Sequence, residues 1–445
     1  MKKLSQLGDF RGFIASIDRE LKHQPVVVQA GKLIEVTGTL LRAAGIDARL
    51  GELCELHDPQ GGRLQYAEVV GFEQNVVILS PFGSLTHLSR TTRVVNLGRP
   101  LSVKVGPQLL GRVIDALGEP IDQKGVLGYE SLRPIHASPP DAMRRRLIDT
   151  PFYTGVRAVD ALITLAEGQR MGIFAPAGVG KSTIMGMFAR GAACDVNVIA
   201  LIGERGREVR EFIEHTLDEE TLSRSVVICA TSDRSSIERA KAGHAATTIA
   251  EYFRDQGARV LLMMDSLTRF ARAQREIGLA AGEPPTRRGY PPSLFAELPR
   301  LLERSGMSEN GSITALYTVL MEDGEGGSDP VAEEVRSILD GHITLSREIA
   351  ARGRYPAIDI LDSLSRVMHQ VVEEAHRQAA THIRRLIAKH REVETLIQLG
   401  EYQQGSDEIA DEAIGKIAMI DELLTQRTDE LTDPQATIEA MQALM

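Results

Sequence analysis

Between Val26 and Val95, apolar and polar residues alternate in short bursts: VVVQAG, KLIEVTGTLL, GELCEL, YAEVVGF and NVVILSPF, divided by Gly, Asp and Pro. Period-two runs punctuated in this way predict the strands of a small β-barrel. Ahead of them, Phe10, Phe13, Ile14, Ile17 and Leu21 recur at helical spacing. They predict a short amphipathic arm that either packs on its own barrel or docks a partner. From about Leu97 to Ser365 the pattern changes to nearly continuous apolar runs, RMGIFA, VNVIALIG, VVICATS, RVLLMMD and SITALYTVL, alternating with helical stretches. That alternation predicts a parallel sheet covered by helices. Beyond Arg366 the glycine and β-branched content falls, and 367–397 and 407–431 read as helices. The expected organisation is an arm and barrel over 1–96, an α/β domain over 97–365 and a helical domain over 366–445.

With 445 residues, burial is not limiting for such a chain. A formal charge of −10 argues against broad nucleic-acid binding, which needs clustered Lys and Arg, although a local basic loop stays compatible with it. Cys54, Cys194 and Cys229 are widely spaced, with no CxxC and no neighbouring His cluster, so neither a disulfide framework nor a zinc site is expected and a reducing cytoplasm is the natural setting. No apolar run approaches the ~18 residues of a membrane span, and the N-terminus lacks a secretory h-region. Peripheral membrane association is compatible with both features.

The chemistry is concentrated after RMGIFA. Ala175-Pro-Ala-Gly-Val-Gly-Lys-Ser182 followed by a helical run is the strand, Gly-rich loop and helix order of a phosphate cradle. Gly178 and Gly180 let backbone N–H groups turn toward phosphate oxygens, with Ala177, Val179 and Thr183 completing the loop. Lys181 reaches the β- and γ-phosphates, and the Ser182 hydroxyl is a Mg²⁺ ligand. Ala175 stands where the strict pattern has Gly, which is tolerable if that residue need not take a positive φ. The run 260–264 ends in Asp265, a carboxylate at a strand tip suited to holding Mg²⁺ through water.

Between the two motifs lies Ile202-Gly-Glu-Arg-Gly-Arg-Glu208, again at a strand tip, where α/β sheets bind ligands. Glu204 is the candidate for orienting the attacking water, Glu208 for a Mg²⁺-bound water and Arg205 for holding the loop. The alternative for each is a surface charge at a helix start. Together these motifs predict a RecA-like P-loop ATPase core with MgATP as the substrate.

With GRVIDALGEPID (111–122), IGERGRE, LLMMDSLTRFARAQRE and PAIDILDSLS added, nearly the whole chain resembles the hexameric ATPases of the rotary ATP synthase catalytic-subunit superfamily. VTGTLLRA, AKAGHAATTIAEYFRDQG, RRGYPPSLFAELPRL, GSITALYTVL and ILDGHITLSREIA resemble, within it, the ATPases of type III protein secretion, which serve injectisomes and flagella. That resemblance implies a ring, expected to be a homohexamer, that releases exported proteins from chaperones and delivers them unfolded to the cytoplasmic face of an inner-membrane export apparatus. It also implies a stator or regulator at the N-terminal arm, a central stalk protein, and a location peripheral to the membrane.

By the same resemblance Tyr355 matches the tyrosine that stacks on adenine, with a core tyrosine as the plain alternative. Arg366 matches the arginine finger inserted into a neighbour's site. Arg269 matches a position near the γ-phosphate, or else a structural ion pair. Arg287, Arg288 and Tyr290, in the Gly- and Pro-rich loop 282–292, match a segment near the central channel, or else form a solvated loop. VTGTLLRA with GELCELHDP, and EVETLIQLGEYQQG, lean toward the injectisome form over the flagellar one. A rotary ion pump, an RNA translocase and a non-catalytic nucleotide-binding subunit are the alternatives.

Overall fold

The computed structural model describes residues 30–321 and 329–445, so the expected amphipathic arm at 10–21 lies outside the described residues. The chain forms two compact units, 1–100 and 101–445.

In the first unit six antiparallel strands close into a barrel, in the spatial order Ala30–Thr37, Leu40–Ala44, Val76–Pro81, Arg63–Glu73, Glu52–His57 and Arg93–Pro100, the last returning to the first. Closure leaves no unpaired edge. Leu33, Leu41, Cys54, Leu56, Val69, Leu79 and Val94 fill the interior. KLIEVTGTLL, a single run in the sequence, is folded into a hairpin at Gly38, whose φ of 59° is the conformation for which glycine is suited. The closing strand runs to Pro100, so the expected boundary at 96/97 falls within it.

The second unit is built on a mainly parallel sheet. Its strands follow the order Ile358–Ser365, Gly341–Leu345, Arg170–Ala175, Ser312–Leu320, Arg259–Asp265, Val196–Ile202, Ser225–Ala230 and Arg112–Ile114. The five apolar runs read from the sequence are its central strands, buried on both faces as parallel strands are. Ile358–Ser365 alone on this path runs antiparallel. The far edge strand Arg112–Ile114 comes from the GRVIDALGEPID motif. Asp122 there takes two hydrogen bonds from the Arg112 guanidinium, at 2.7 and 3.0 Å, and a third from Val113 N–H. Burial pushes the Asp122 carboxyl up, but these donors outweigh it and hold it well below the usual range.

Helices Glu374–Leu399, Glu408–Leu424 and Pro434–Gln442 follow. Their Ala379, Ile383, Leu386, Ile420, Leu424 and Met441 share one apolar core with Val159, Leu162, Ile173 and Phe188 of the sheet-bearing part. The boundary expected at 365/366 therefore falls inside one compact unit.

The helix expected over 407–431 ends at Leu424. Arg157 donates to Leu423 O, and the Gln426 amide donates to Gly155 O and accepts from Arg157 N–H, which turns 425–430 away from the helix axis. The expected helix over 367–397 is likewise split, with a short turn at Met368–Val371 before the long helix. No helix among the described residues is long and apolar enough to cross a membrane.

Candidate functional site

The phosphate loop follows directly from a buried strand. Gly178 and Gly180 take φ of 82° and 91°, and a Cβ on Gly178 would meet nothing within 4 Å, so conformation rather than crowding requires glycine there. Ala175 ends its strand and is not among the residues with positive φ, which is why alanine serves in place of the usual glycine. Gly180 caps the helix Lys181–Gly191, whose free N-terminal N–H groups and dipole favour an anion. Ala177, Gly178, Ser182 and Thr183 are exposed around this mouth, while Val179 is buried beneath it.

The helix N-terminus and two strand tips supply the charges. Lys181 Nζ forms an ion pair with Asp265 and lies 3.1 Å from Glu204 Oε1. Asp265, 3% exposed, also accepts from Thr318 Oγ1 at 2.7 Å. Burial works against the Lys181 ammonium, but Asp265 and Glu204 outweigh it and hold its pKa above the ordinary lysine value. Glu204, 8% exposed, is pushed up by burial, and by Asp265 beside it, against the pull of Lys181 and Arg269. Glu208 is held below its ordinary value: burial alone would raise it, but its hydrogen bond with Glu204 and the adjacent Arg205 dominate. The two glutamates thus differ in proton affinity, the inner one holding its proton more tightly.

The loop carrying Glu204 is gripped by Arg269, not by Arg205. Arg269 donates to Gly203 O and, at 3.1 Å, to Glu204 Oε2. A Cβ on Gly203 would sit 2.9 Å from Arg269 Cδ, and its φ is 68°, so glycine admits both the turn and the arginine. Arg205 points outward and pairs with Glu208 at 3.2 Å, an exposed i, i+3 contact. The expectation that Arg205 holds the loop is corrected accordingly.

The antiparallel edge strand separates the two remaining nucleotide candidates. Ile358 pairs with Leu345 and Ser365 with Gly341, while Phe174 pairs with Thr344 and Gly172 with His342. Tyr355, 46% exposed, therefore stands at the phosphate-loop end of the sheet. Its carbonyl accepts from Gln426 N–H at 2.9 Å, which brings the 425–430 turn to its side. Arg366 stands at the opposite end, its backbone N–H on Asp340 O and its guanidinium on Arg336 O at 3.2 Å.

In the loop before helix Pro292–Leu302, Arg287 is exposed and Arg288 has a φ of 47°. Tyr290 is 7% exposed, with the Arg275 guanidinium 5.5 Å from its ring centroid. The expectation that Tyr290 touches a stalk or cargo is corrected: its ring packs inward and secures the loop. Thr318 and Gln426 were missed by sequence reasoning. Thr318 is one of two threonines in SITALYTVL, and nothing in the run singles it out.

The nucleotide-binding domain model of the ATP synthase alpha/beta family matches residues 155–365, and that family's beta-barrel domain matches 33–98. The C-terminal domain model of the T3SS EscN ATPase matches 372–443. The chain is 66% identical over 426 residues to a type 3 secretion system ATPase of Xanthomonas euvesicatoria, covering 96% of each. It is 48% identical to a flagellum-specific ATP synthase of Bacillus subtilis, covering 93% of this chain and 94% of that one. Among solved structures it matches the assembled ATPase EscN of the enteropathogenic E. coli type III secretion system, with a TM-score of 0.88, 48% identity, and coverage of 93% of this chain and 99% of that one. It also matches EscN in complex with its central stalk EscO, with a TM-score of 0.86 and 47% identity over 93% of this chain and 99% of that one.

Proposed function

This chain belongs to the ATP synthase alpha/beta family and, within it, to the type 3 secretion system ATPases, and from that membership we propose how its residues hydrolyse ATP and what the hydrolysis drives. The carrying observation is the convergence of Lys181, at the helix N-terminus, with Glu204 and Asp265, at two neighbouring strand tips, beside a glycine-formed phosphate cradle. Lys181 exchanges its two carboxylate partners for β- and γ-phosphate oxygens when ATP enters. Glu204, then relieved of Lys181 but still oriented by Arg269, holds water in line with the γ-phosphorus and takes its proton as ADP departs. Tyr355 offers its exposed face to adenine.

Ser182, Asp265 and Glu208 present only oxygen donors, and buried Asp265 is balanced by Lys181, a donor set that fits a hard divalent cation. The Ser182 hydroxyl and, through water, Asp265 and Glu208 would hold Mg²⁺. When bound, the ion supplies neutralisation of charge on the β- and γ-phosphates.

Arg366 supplies the remaining positive charge to a neighbouring copy, since it stands at the other end of its own sheet. Activity therefore depends on assembly into a ring, for which the likeness to assembled EscN gives support, and the likeness to the EscN–EscO complex supports a central stalk partner. The ring works at the cytoplasmic face of the membrane export apparatus, freeing cargo from chaperones and unfolding it. The 66% likeness to the Xanthomonas ATPase favours an injectisome, and the flagellar relative at 48% is the observation behind the second reading, flagellar export.

Replacing Lys181 with Ala in the native host separates these readings, with secreted proteins and swimming as the two outputs. Loss of effector secretion with motility retained supports the injectisome, and loss of motility assigns the chain to the flagellum. Survival of both outputs in a strain without a duplicate gene would overturn the export function.

A further inference from the structure

Away from the phosphate loop, three elements bring nitrogen and carboxylate donors together. His136 follows the strand Ser131–Pro134, His244 lies on the helix Ser236–Asp255, and Glu297 lies on the helix Pro292–Leu302. One donor atom from each lies within 4.8 Å of the others. They share the wall of a cleft of about 400 Å³ with Ser138 and Arg300.

His244 is the informative member. It is 2% exposed, yet neither ring nitrogen has a hydrogen-bond partner; Nε2 lies 3.4 Å from Glu297 Oε1 without hydrogen-bond alignment. Buried polar groups are almost always satisfied, and an unsatisfied imidazole on a helix that could carry an apolar residue calls for a ligand. The His136 ring stands 4.7 Å from it, centroid to centroid, at an interplanar angle of 52°, and so adds a second imidazole to the same space.

We infer that His136, His244 and Glu297 form a binding site for a zinc-class divalent cation. Two imidazoles and one carboxylate suit Zn²⁺, Co²⁺ or Ni²⁺, whereas Mg²⁺ and Ca²⁺ prefer all-oxygen sets. The cleft they line leaves room for water as a fourth ligand. The adjacent Arg304 is matched by Glu251, at 2.9 and 2.6 Å, so its charge is already neutralised locally. Lys241 is the competitor: its Nζ lies 2.9 Å from His136 Nε2, where it occupies one of the donor nitrogens. The cation either takes the other nitrogen of that ring or displaces the ammonium, and in both cases binds against a neighbouring positive charge. Occupation would clamp the helix Pro292–Leu302, at the base of the Arg287–Tyr290 loop, to the helix Ser236–Asp255. The site stands apart from the hydrolytic residues and does not depend on the role proposed for them.

The test uses the full chain, stripped with chelator and held in excess Mg²⁺ without nucleotide so that the oxygen sites are filled. Zn²⁺ is titrated against a chromophoric chelator, and Co²⁺ binding is followed by its visible spectrum. One cation per chain is expected. His136→Ala, on the exposed ligand, should weaken binding by more than the roughly 10- to 100-fold that loss of an outer-sphere partner costs, and Glu297→Gln should do the same. His244→Ala should abolish it. Lys241→Met should tighten binding, an effect of opposite sign that no general loss of folding can mimic. Absence of stoichiometric binding overturns the inference, as does a site whose affinity is unchanged in either His136→Ala or Glu297→Gln.

Discussion

The strand Ile358–Ser365 has two ends with different company. At its start, Tyr355 stands beside the 425–430 turn, at the end of the sheet where Lys181, Glu204 and Asp265 neutralise one another. At its finish, Arg366 leaves the sheet at the opposite end, and its guanidinium there meets the carbonyl of Arg336. Any strand delivers its two ends to opposite edges of the layer, and antiparallel pairing here puts the start of this strand, rather than its finish, at the phosphate-loop edge. The first end is nearly complete within one chain. The second places Arg366 at the sheet edge away from the chain's own phosphate loop, and on the proposed mechanism its charge serves a neighbour's site.

The sharpest way to break this comparison is to disable each end in a separate chain. Arg366→Ala should lower turnover by ~10³ to 10⁵, the range for removing an arginine finger. Lys181→Ala should likewise leave no measurable hydrolysis. Mixed rings of the two variants should regain a fraction of the rate, because some sites then combine an intact Lys181 with a neighbour's intact Arg366. No recovery in the mixture, with assembly verified by sedimentation, would place both residues in service of the same chain's site.

A second, smaller effect isolates the chemistry at the first end. Glu204→Gln should reduce kcat by about 10² to 10⁴ while leaving ATP binding intact, the expected loss when a positioned base is removed. Normal turnover in that variant would remove Glu204 from the mechanism. Smaller still, Tyr355→Ala should raise KM for ATP by roughly 2- to 10-fold with little change in kcat, as for loss of one stacked pair that contributes equally before and during reaction. A change confined to kcat would contradict the stacking role.

The smallest effect concerns the support beneath that end. Asp160 is fully buried and accepts from Thr154 N–H and Oγ1 and from Gly155 N–H, at 2.7, 2.8 and 2.9 Å. Burial pushes its carboxyl up from 3.8 to about 7, only partly opposed by those donors. Because the folded value lies above the unfolded one, its contribution to stability is full below pH 3.8 and is lost as pH rises through about 7. Asp160→Asn should therefore flatten the decline of Tm with rising pH across that window, and an unchanged slope would refute the assignment.

The central strands and the phosphate loop were legible because their signals are local. A buried parallel strand must be apolar along its whole length, and the loop conformation demands glycine at 178 and 180. The candidate site was legible in its residue types, and the apolar runs before Glu204 and Asp265 suffice to place both at strand tips. The edge strand Arg112–Ile114 was not, since three residues carry no periodicity and its pairing depends on the Arg112–Asp122 clamp. Arg269 displaced Arg205 as the residue gripping the Glu204 loop because the contact spans a strand crossover, invisible in the spacing of IGERGRE. Tyr290 was read as outward-facing because its neighbours are turn-forming residues, yet the Arg275 stack turned it inward.

The amino-acid order by itself determined the strand–loop–helix that cradles phosphate, the buried apolar strands and the carboxylates at their tips, since each depends on neighbours a few residues away. Only the tertiary structure decided which arginine steadies the Glu204 loop, which end of the sheet receives Tyr355 and which receives Arg366, and that His136, His244 and Glu297 meet at all. These outcomes rest on strand order, register and helix packing between segments up to nearly 200 residues apart, and no local pattern carries that information.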